Sequence, residues 1–167
     1  MTKFNVSRDG PRKDTPWVDC TFALFVLADI TIDDINHVLQ KAHDGSTVNC
    51  YYFWLAHDFA YVPRENRVGE TIFCESGTES PIPEEWTSLF KGKTIQEAAA
   101  FSKLALDGLQ VDWHHFAVLD EGFLTLCRIG DGDLVGDDLD TMPCKVEVST
   151  LNLSSLERHV WEEYKYD

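Results

Sequence analysis

Positive charge is scarce in this chain of 167 residues: 14 Lys and Arg stand against 29 Asp and Glu, a formal net charge of −15. A nucleic-acid binder needs a cationic face to displace phosphate counterions, and a protein held to anionic lipid needs a basic patch, so both classes are excluded. Long apolar runs are also missing. The longest, Phe22 to Ala28, falls far short of the roughly 20 residues that span a bilayer. The first residues, MTKFNVSRDGPRKDTPW, hold no apolar core of the signal-peptide kind, which points to a soluble chain that stays in the cytoplasm. There is no CxxC pair among Cys20, Cys50, Cys74, Cys127 and Cys144. An odd count at wide spacing, each in or beside an apolar stretch, reads as reduced, mostly buried thiols. P-loop, G-x-G-x-x-G, H-E-x-x-H, G-x-S-x-G and zinc-spaced Cys/His patterns are all missing. Nucleotide hydrolysis, dinucleotide redox chemistry and zinc-protease chemistry therefore have no foothold, and nothing in the sequence asks for a cofactor or a metal.

What is there is an ordinary globular composition, 44% hydrophobic and 26% charged. A chain this long buries about two-thirds of its unfolded surface, enough to fold without covalent staples. Residues 1–16 are polar, hold Pro11 and Pro16, and carry Lys3, Arg8, Arg12 and Lys13, which reads as a flexible N-terminal arm ahead of a single domain at 17–167. Cys20 to Ala28 suits a strand buried on both faces. Thr31 can cap a helix to Asp44, with Asp33 and Asp34 at its positive end, Ile32, Ile35, Val38, Leu39 and Ala42 at helical spacing, and Gly45 as the stop. Val48 to Leu55 is a second apolar strand, so the first part has the size of a right-handed βαβ unit.

Residues 56–70 read as a polar connection, and Thr71 to Glu75 as a short strand. Pro83-Glu84-Glu85-Trp86 opens a short helix, and Thr94-Ile95-Gln96-Glu97 is a capping box for another, which runs to Gly108 and whose alanines imply close packing. Trp113–Asp120 and Phe123–Ile129 form a hairpin, with Gly122 free to take a positive φ. Residues 130–141 form an acidic loop, Lys145–Ser149 alternates like a strand, and a capping box at Ser154 starts a last helix. Mixed helices and strands predict an α/β or α+β fold, a single mixed sheet with helices packed on it.

Few residues stand out as chemistry. Read as an EF-hand from Asp131, the acidic loop has Asp133 and Gly136 in place, but Val135 at the fifth position and Met142 where a bidentate Glu belongs, so it is rejected. Asp112-Trp113-His114-His115 holds adjacent histidines, which point to opposite faces of a regular strand and cannot share an ion without a bulge. Either could act as a general base beside Asp112 or another carboxylate. His57-Asp58 ends the second strand, where α/β sheets place ligands. Tyr51, Tyr52, Phe53, Trp54, Phe59 and Tyr61 crowd one segment, as core or as an interface rich in aromatics.

Phe116-Ala117-Val118-Leu119-Asp120-Glu121, followed by Leu124-Thr125-Leu126, resembles the late strands of an uncharacterised domain family of filamentous fungi and bacteria. The resemblance implies a small intracellular α/β domain and transfers no activity or functional residue. Acidity, size and the lack of catalytic motifs point to a binding or regulatory protein that acts on a basic protein partner, drawn in by long-range attraction. A small enzyme or small-molecule binder using His57, Asp58, Asp112, His114 or His115 is the alternative. A homodimer joined through a sheet edge is the third.

Overall fold

Thr21–Val26 is β1, and all six residues are buried because it lies inside the sheet and helices cover both faces. The computed structural model describes residues 21–46, 51–57, 65–68, 71–74, 77–104, 111–121, 123–129 and 139–154. After β1 come α1 (Ile32–Asp44), β2 (Phe53–Leu55), β3 (Glu65–Val68), β4 (Thr71–Cys74), α2 (Ile95–Ser102), β5 (Val111–Asp120), β6 (Phe123–Ile129), β7 (Leu139–Cys144) and α3 (Val146–Ser154). One mixed five-stranded sheet runs in the order β2-β1-β5-β6-β7. β2 and β5 flank β1 in parallel, and β5, β6 and β7 continue as an antiparallel meander. β3 and β4 pair as a separate antiparallel ribbon. The expected mixed sheet with packed helices is what forms.

Alternation along β1 divides the core. Phe22, Leu24 and Val26 join Ile35, Leu39 and Ala42 of α1 and Leu153 of α3 on one face. Ala23 and Phe25 join Phe90 and Ala98 and Ala99 of α2 on the other. The split follows from handedness. The β1-α1-β2 crossover leads to one side of β1, whereas the path from β2 through α2 to β5 leads back past it. Right-handed crossovers in opposite directions put their helices on opposite faces. The carboxyl end of β1 is thus the topological switch point of the sheet, the usual place for a ligand in open α/β folds.

Local signals explain the helix starts. Thr31 Oγ1 accepts the Asp34 N–H at 3.1 Å, with Asp33 and Asp34 in the first turn of α1. At α2 the capping box is complete: Thr94 Oγ1 accepts the Glu97 N–H at 3.2 Å, and Glu97 Oε2 accepts the Thr94 N–H at 2.7 Å. That second bond favours the charged carboxylate and holds Glu97 below its ordinary pKa. Gly45 does end α1, but with φ −80 it is right-handed. Its role is close approach, since a Cβ there would stand 1.8 Å from the backbone oxygen of Glu147 in α3.

Several expectations need correction. No α-helix forms after Pro83; the Trp86 N–H closes a turn on the Pro83 carbonyl at 3.1 Å, and single bonds from this segment to the sheet and α1 replace a helical ladder. Lys145–Ser149 is not a strand. Val146, Ser149 and Leu153 lie at helical spacing on α3, and so short a stretch fits either period. The last strand instead is β7, cut from the end of the stretch read as an acidic loop. β3 falls in what read as a plain connection. β2 begins at Phe53, and residues 48–50 lie outside the described residues, as do the arm at 1–16, Gly122, most of the acidic loop and the helix expected after Ser154. The positive φ described at the β5–β6 turn belongs to Glu121, at 41°.

Both outer strands of the main sheet are obstructed. Along β2, the Gly77 and Thr78 N–H groups donate to the Tyr51 and Phe53 carbonyls at 2.7 and 2.8 Å, and Thr78 Oγ1 accepts the Leu55 N–H at 2.8 Å. On β7, Pro143 has no N–H to offer, and the Thr141 N–H donates to Asp140 Oδ1 at 3.0 Å. Such devices oppose edge-to-edge pairing, and the sheet-edge homodimer finds no support here.

Candidate functional site

Near the carboxyl end of β1, Leu24 O accepts the Ala56 N–H at 2.9 Å. The Ser88 hydroxyl donates to the Val26 carbonyl at 2.6 Å and accepts the Phe90 N–H at 3.1 Å. The Gly92 N–H donates to Leu27 O at 2.8 Å, with Gly92 in the left-handed region at φ 78 that favours glycine. Residues 82–92 thereby lie across the strand end, anchored by buried Phe90. Beneath them is a cleft of about 110 Å3, walled by Val26, Ala28, Ile30, Ile32, Ile35 and Trp86, with Asp29, Thr87, Ser88 and Lys91 completing its lining. Lys91 Nζ stands 2.9 Å from Asp29 Oδ1; both side chains are largely in water, 88% for Asp29, so this is a screened surface pair.

The same end of the sheet is acidic. Exposed Asp29 follows β1, exposed Asp33 and Asp34 open α1, and exposed Asp120 and Glu121 turn β5 into β6. The Leu27 N–H donates to Leu119 O at 3.0 Å, which brings the two strand ends side by side. Phe123 stands next to this turn, opposite Asp120, with 74% of its surface open.

Of the residues singled out in the sequence, His57 lies at this end, half-buried, two positions beyond β2, whereas Asp58 is outside the described residues. Asp112, His114 and His115 belong to the first half of β5, at the opposite end of the parallel strands. In the register with β1, Phe22 pairs with Asp112 and Ala23 with Phe116, so Trp113, His114 and His115 are extra residues. The irregularity that a shared histidine site requires is present. The fold does not unite these residues with His57, because most of β1 separates them.

His115 is 5% exposed. It lies opposite Arg128, which lies opposite Asp140, so an imidazole, a guanidinium and a carboxylate form one row across β5, β6 and β7. Arg128 Nη2 and Asp140 Oδ2 are 3.6 Å apart, and both side chains are mostly buried. Alternation places this row on the face that carries Ala117, Leu126 and Met142. Sequence reasoning missed Arg128 and Asp140; only the true position of β7 sets them in line with His115. No group of three or more His, Cys, Asp and Glu suited to a metal ion occurs among the described residues.

A second polar cluster, also missed, ties the end of α1 to later segments. Tyr51 Oη and Ser80 Oγ both donate to Gln40 Oε1, at 2.9 and 3.0 Å. The His43 ring stacks on Tyr51 with centroids 4.3 Å apart, and its Nδ1 lies 3.1 Å from Asp44 Oδ1. The bonds from His43 and then Gln40 hold the Asp44 carboxyl below its ordinary range.

Cys127 sits beside Arg128 but on the opposite face, 0% exposed, and burial pushes its thiol up to about 12. A catalytic thiol must ionise near neutrality, so Cys127 is structural. It is expected to resist N-ethylmaleimide at about pH 8 in the folded protein and to label once the chain is unfolded. Mass spectrometry of the labelled peptide reads this directly, and rapid labelling in the folded state would contradict the buried placement.

No family model, curated protein or solved structure matches the chain. No helix among the described residues is long and apolar enough to cross a membrane. The class defined by fold and site is an α+β sandwich with an acidic, partly apolar surface at the carboxyl end of its parallel strands.

Proposed function

We propose that the protein is an acidic binding or regulatory protein of the cytoplasm and that the carboxyl end of its parallel strands docks a basic segment of a protein partner. The observation that carries this reading is the exposure of Asp29, Asp33, Asp34, Asp120 and Glu121, from two stretches of chain, at one end of the sheet, with exposed Phe123 opposite Asp120. An exposed aromatic beside surface charge is a common way to combine binding energy with steering. The overall −15 charge adds long-range attraction for cations. A site built on a histidine and a carboxylate draws less support, since the histidine candidates fall at opposite ends of the strands.

The test uses a fluorescent oligolysine peptide and two charge-reversed proteins of equal net charge. Asp33→Lys with Asp120→Lys is expected to weaken binding about tenfold, and Glu79→Lys with Glu147→Lys, away from this end, far less. Raising salt from about 0.05 to about 0.5 M is expected to weaken binding to the unaltered protein steeply. Equal losses in the two variants would mean that total charge, not this surface, attracts the peptide, and the reading would fall.

A further inference from the structure

We infer that the cleft at the carboxyl end of β1 is a socket for one lysine side chain of the docked partner, its methylenes against Ile30, Ile32 and Trp86 and its ammonium on Asp29. This rests on the docking reading above and adds the chemistry that the surface selects. Size comes first. A cleft of about 110 Å3 is smaller than the roughly 150 Å3 apolar cavity that accepts a benzene ring, so it suits an aliphatic stem better than an aromatic ring.

Polarity then selects the head group. Long cationic side chains lay their stems on apolar surface and keep the charge at its edge, and this cleft joins the apolar side chains of Ile30, Ile32 and Trp86 to a polar rim of Asp29, Thr87, Ser88 and Lys91. The Asp29 carboxylate already holds an alkylammonium, since Lys91 Nζ lies 2.9 Å from Asp29 Oδ1. An ionised carboxylate accepts several donors, and Asp29, 88% exposed, has room for a second. The start of α1, close by, draws no anion. Thr31 Oγ1 occupies the Asp34 N–H, and Asp33 and Asp34 oppose the positive end of the α1 dipole.

The experiment follows the Trp86 indole N–H by NMR during titration with n-butylammonium, n-butanol and n-butyrate. The ammonium is expected to shift the signal saturably, and the other two far less. Asp29→Asn is expected to weaken n-butylammonium about two- to fivefold, the range of an exposed ion pair, and Lys91→Met to tighten it by a similar factor. Both residues are exposed, so neither change threatens the fold. Butanol binding as well as the ammonium, no saturable shift, or indifference to Asp29→Asn would overturn the socket. Oligolysine separates the two ideas. Loss of its binding on reversal of Asp33 and Asp120, with no effect of Asp29→Asn, would remove the socket and keep the docking surface. Indifference of oligolysine to the Asp33 and Asp120 reversal, with the butylammonium response intact, would remove the docking surface and leave the cleft as an isolated alkylammonium site.

Discussion

Truncating Phe25 to alanine is expected to lower the unfolding free energy by about 3–5 kcal/mol, the usual cost of removing a buried phenylalanine from a core that relaxes only in part. Phe25 is 0% exposed on β1, an interior strand of the sheet. Its ring meets Phe90, Phe116 and Phe101 edge-on, at centroid distances of 4.7, 5.4 and 6.0 Å. Phe90 and Phe101 also pack on each other at 4.9 Å. The rings come from β1, the 82–92 segment, α2 and β5, so one truncation loosens four parts of the chain. A domain is stable by only about 5–15 kcal/mol, which makes this loss a large share of the total. Urea denaturation followed by circular dichroism measures it. A change below about 1 kcal/mol would be incompatible with a close-packed cluster. Phe90 also anchors the segment over the cleft, so a folded Phe25 variant is expected to hold that segment less firmly.

The second large effect is expected at Gly45. Alanine is normally easy to accommodate at φ −80, so backbone conformation alone predicts little change. Yet the added methyl would stand 1.8 Å from the Glu147 carbonyl oxygen and 2.7 Å from its carbon. Backbone cannot swing aside as a side chain can, so α1 and α3 must separate. Overpacking of this kind typically costs about 1–3 kcal/mol. Thermal unfolding of Gly45→Ala measures the loss. A melting temperature equal to that of the unaltered protein would mean that the two helices do not meet so closely.

These effects mark where the sequence was informative. β1 and α1 were legible because their signals are long and agree: a continuous apolar run, then a cap, early carboxylates and helical spacing. β6 was read to the residue, since Phe123–Ile129 follows a turn and its neighbour strand is equally apolar. β7 and α3 were not. Leu139–Cys144 contains Asp140, Thr141 and Pro143 because it lies at the sheet edge, where a strand needs less apolar surface. Lys145–Ser149, where α3 begins, is short enough to fit either a helical or a strand period. Gly45 was rightly identified as a helix end, but its close approach to a residue about a hundred positions later could not be read locally.

The candidate site was harder to read for the same reason. His57 could be assigned to a strand end from local order alone. The bulge around His115, its row with Arg128 and Asp140, and the reach of Ser88 to Val26 all depend on which strands become neighbours. The acidity of the whole chain was plain, but the gathering of Asp29, Asp33 and Asp120 at one end follows from the crossover topology.

The two interrupted flanks of the sheet have a consequence for the protein in bulk. A growing fibril needs a bare line of amides on which the next molecule can lay itself, and here one flank is already occupied by the chain's own loop while the other is broken by an imino acid and a self-satisfied donor. Copies that collide at high concentration find little to template on. The protein can therefore be abundant without its central sheet becoming a nucleus for aggregation.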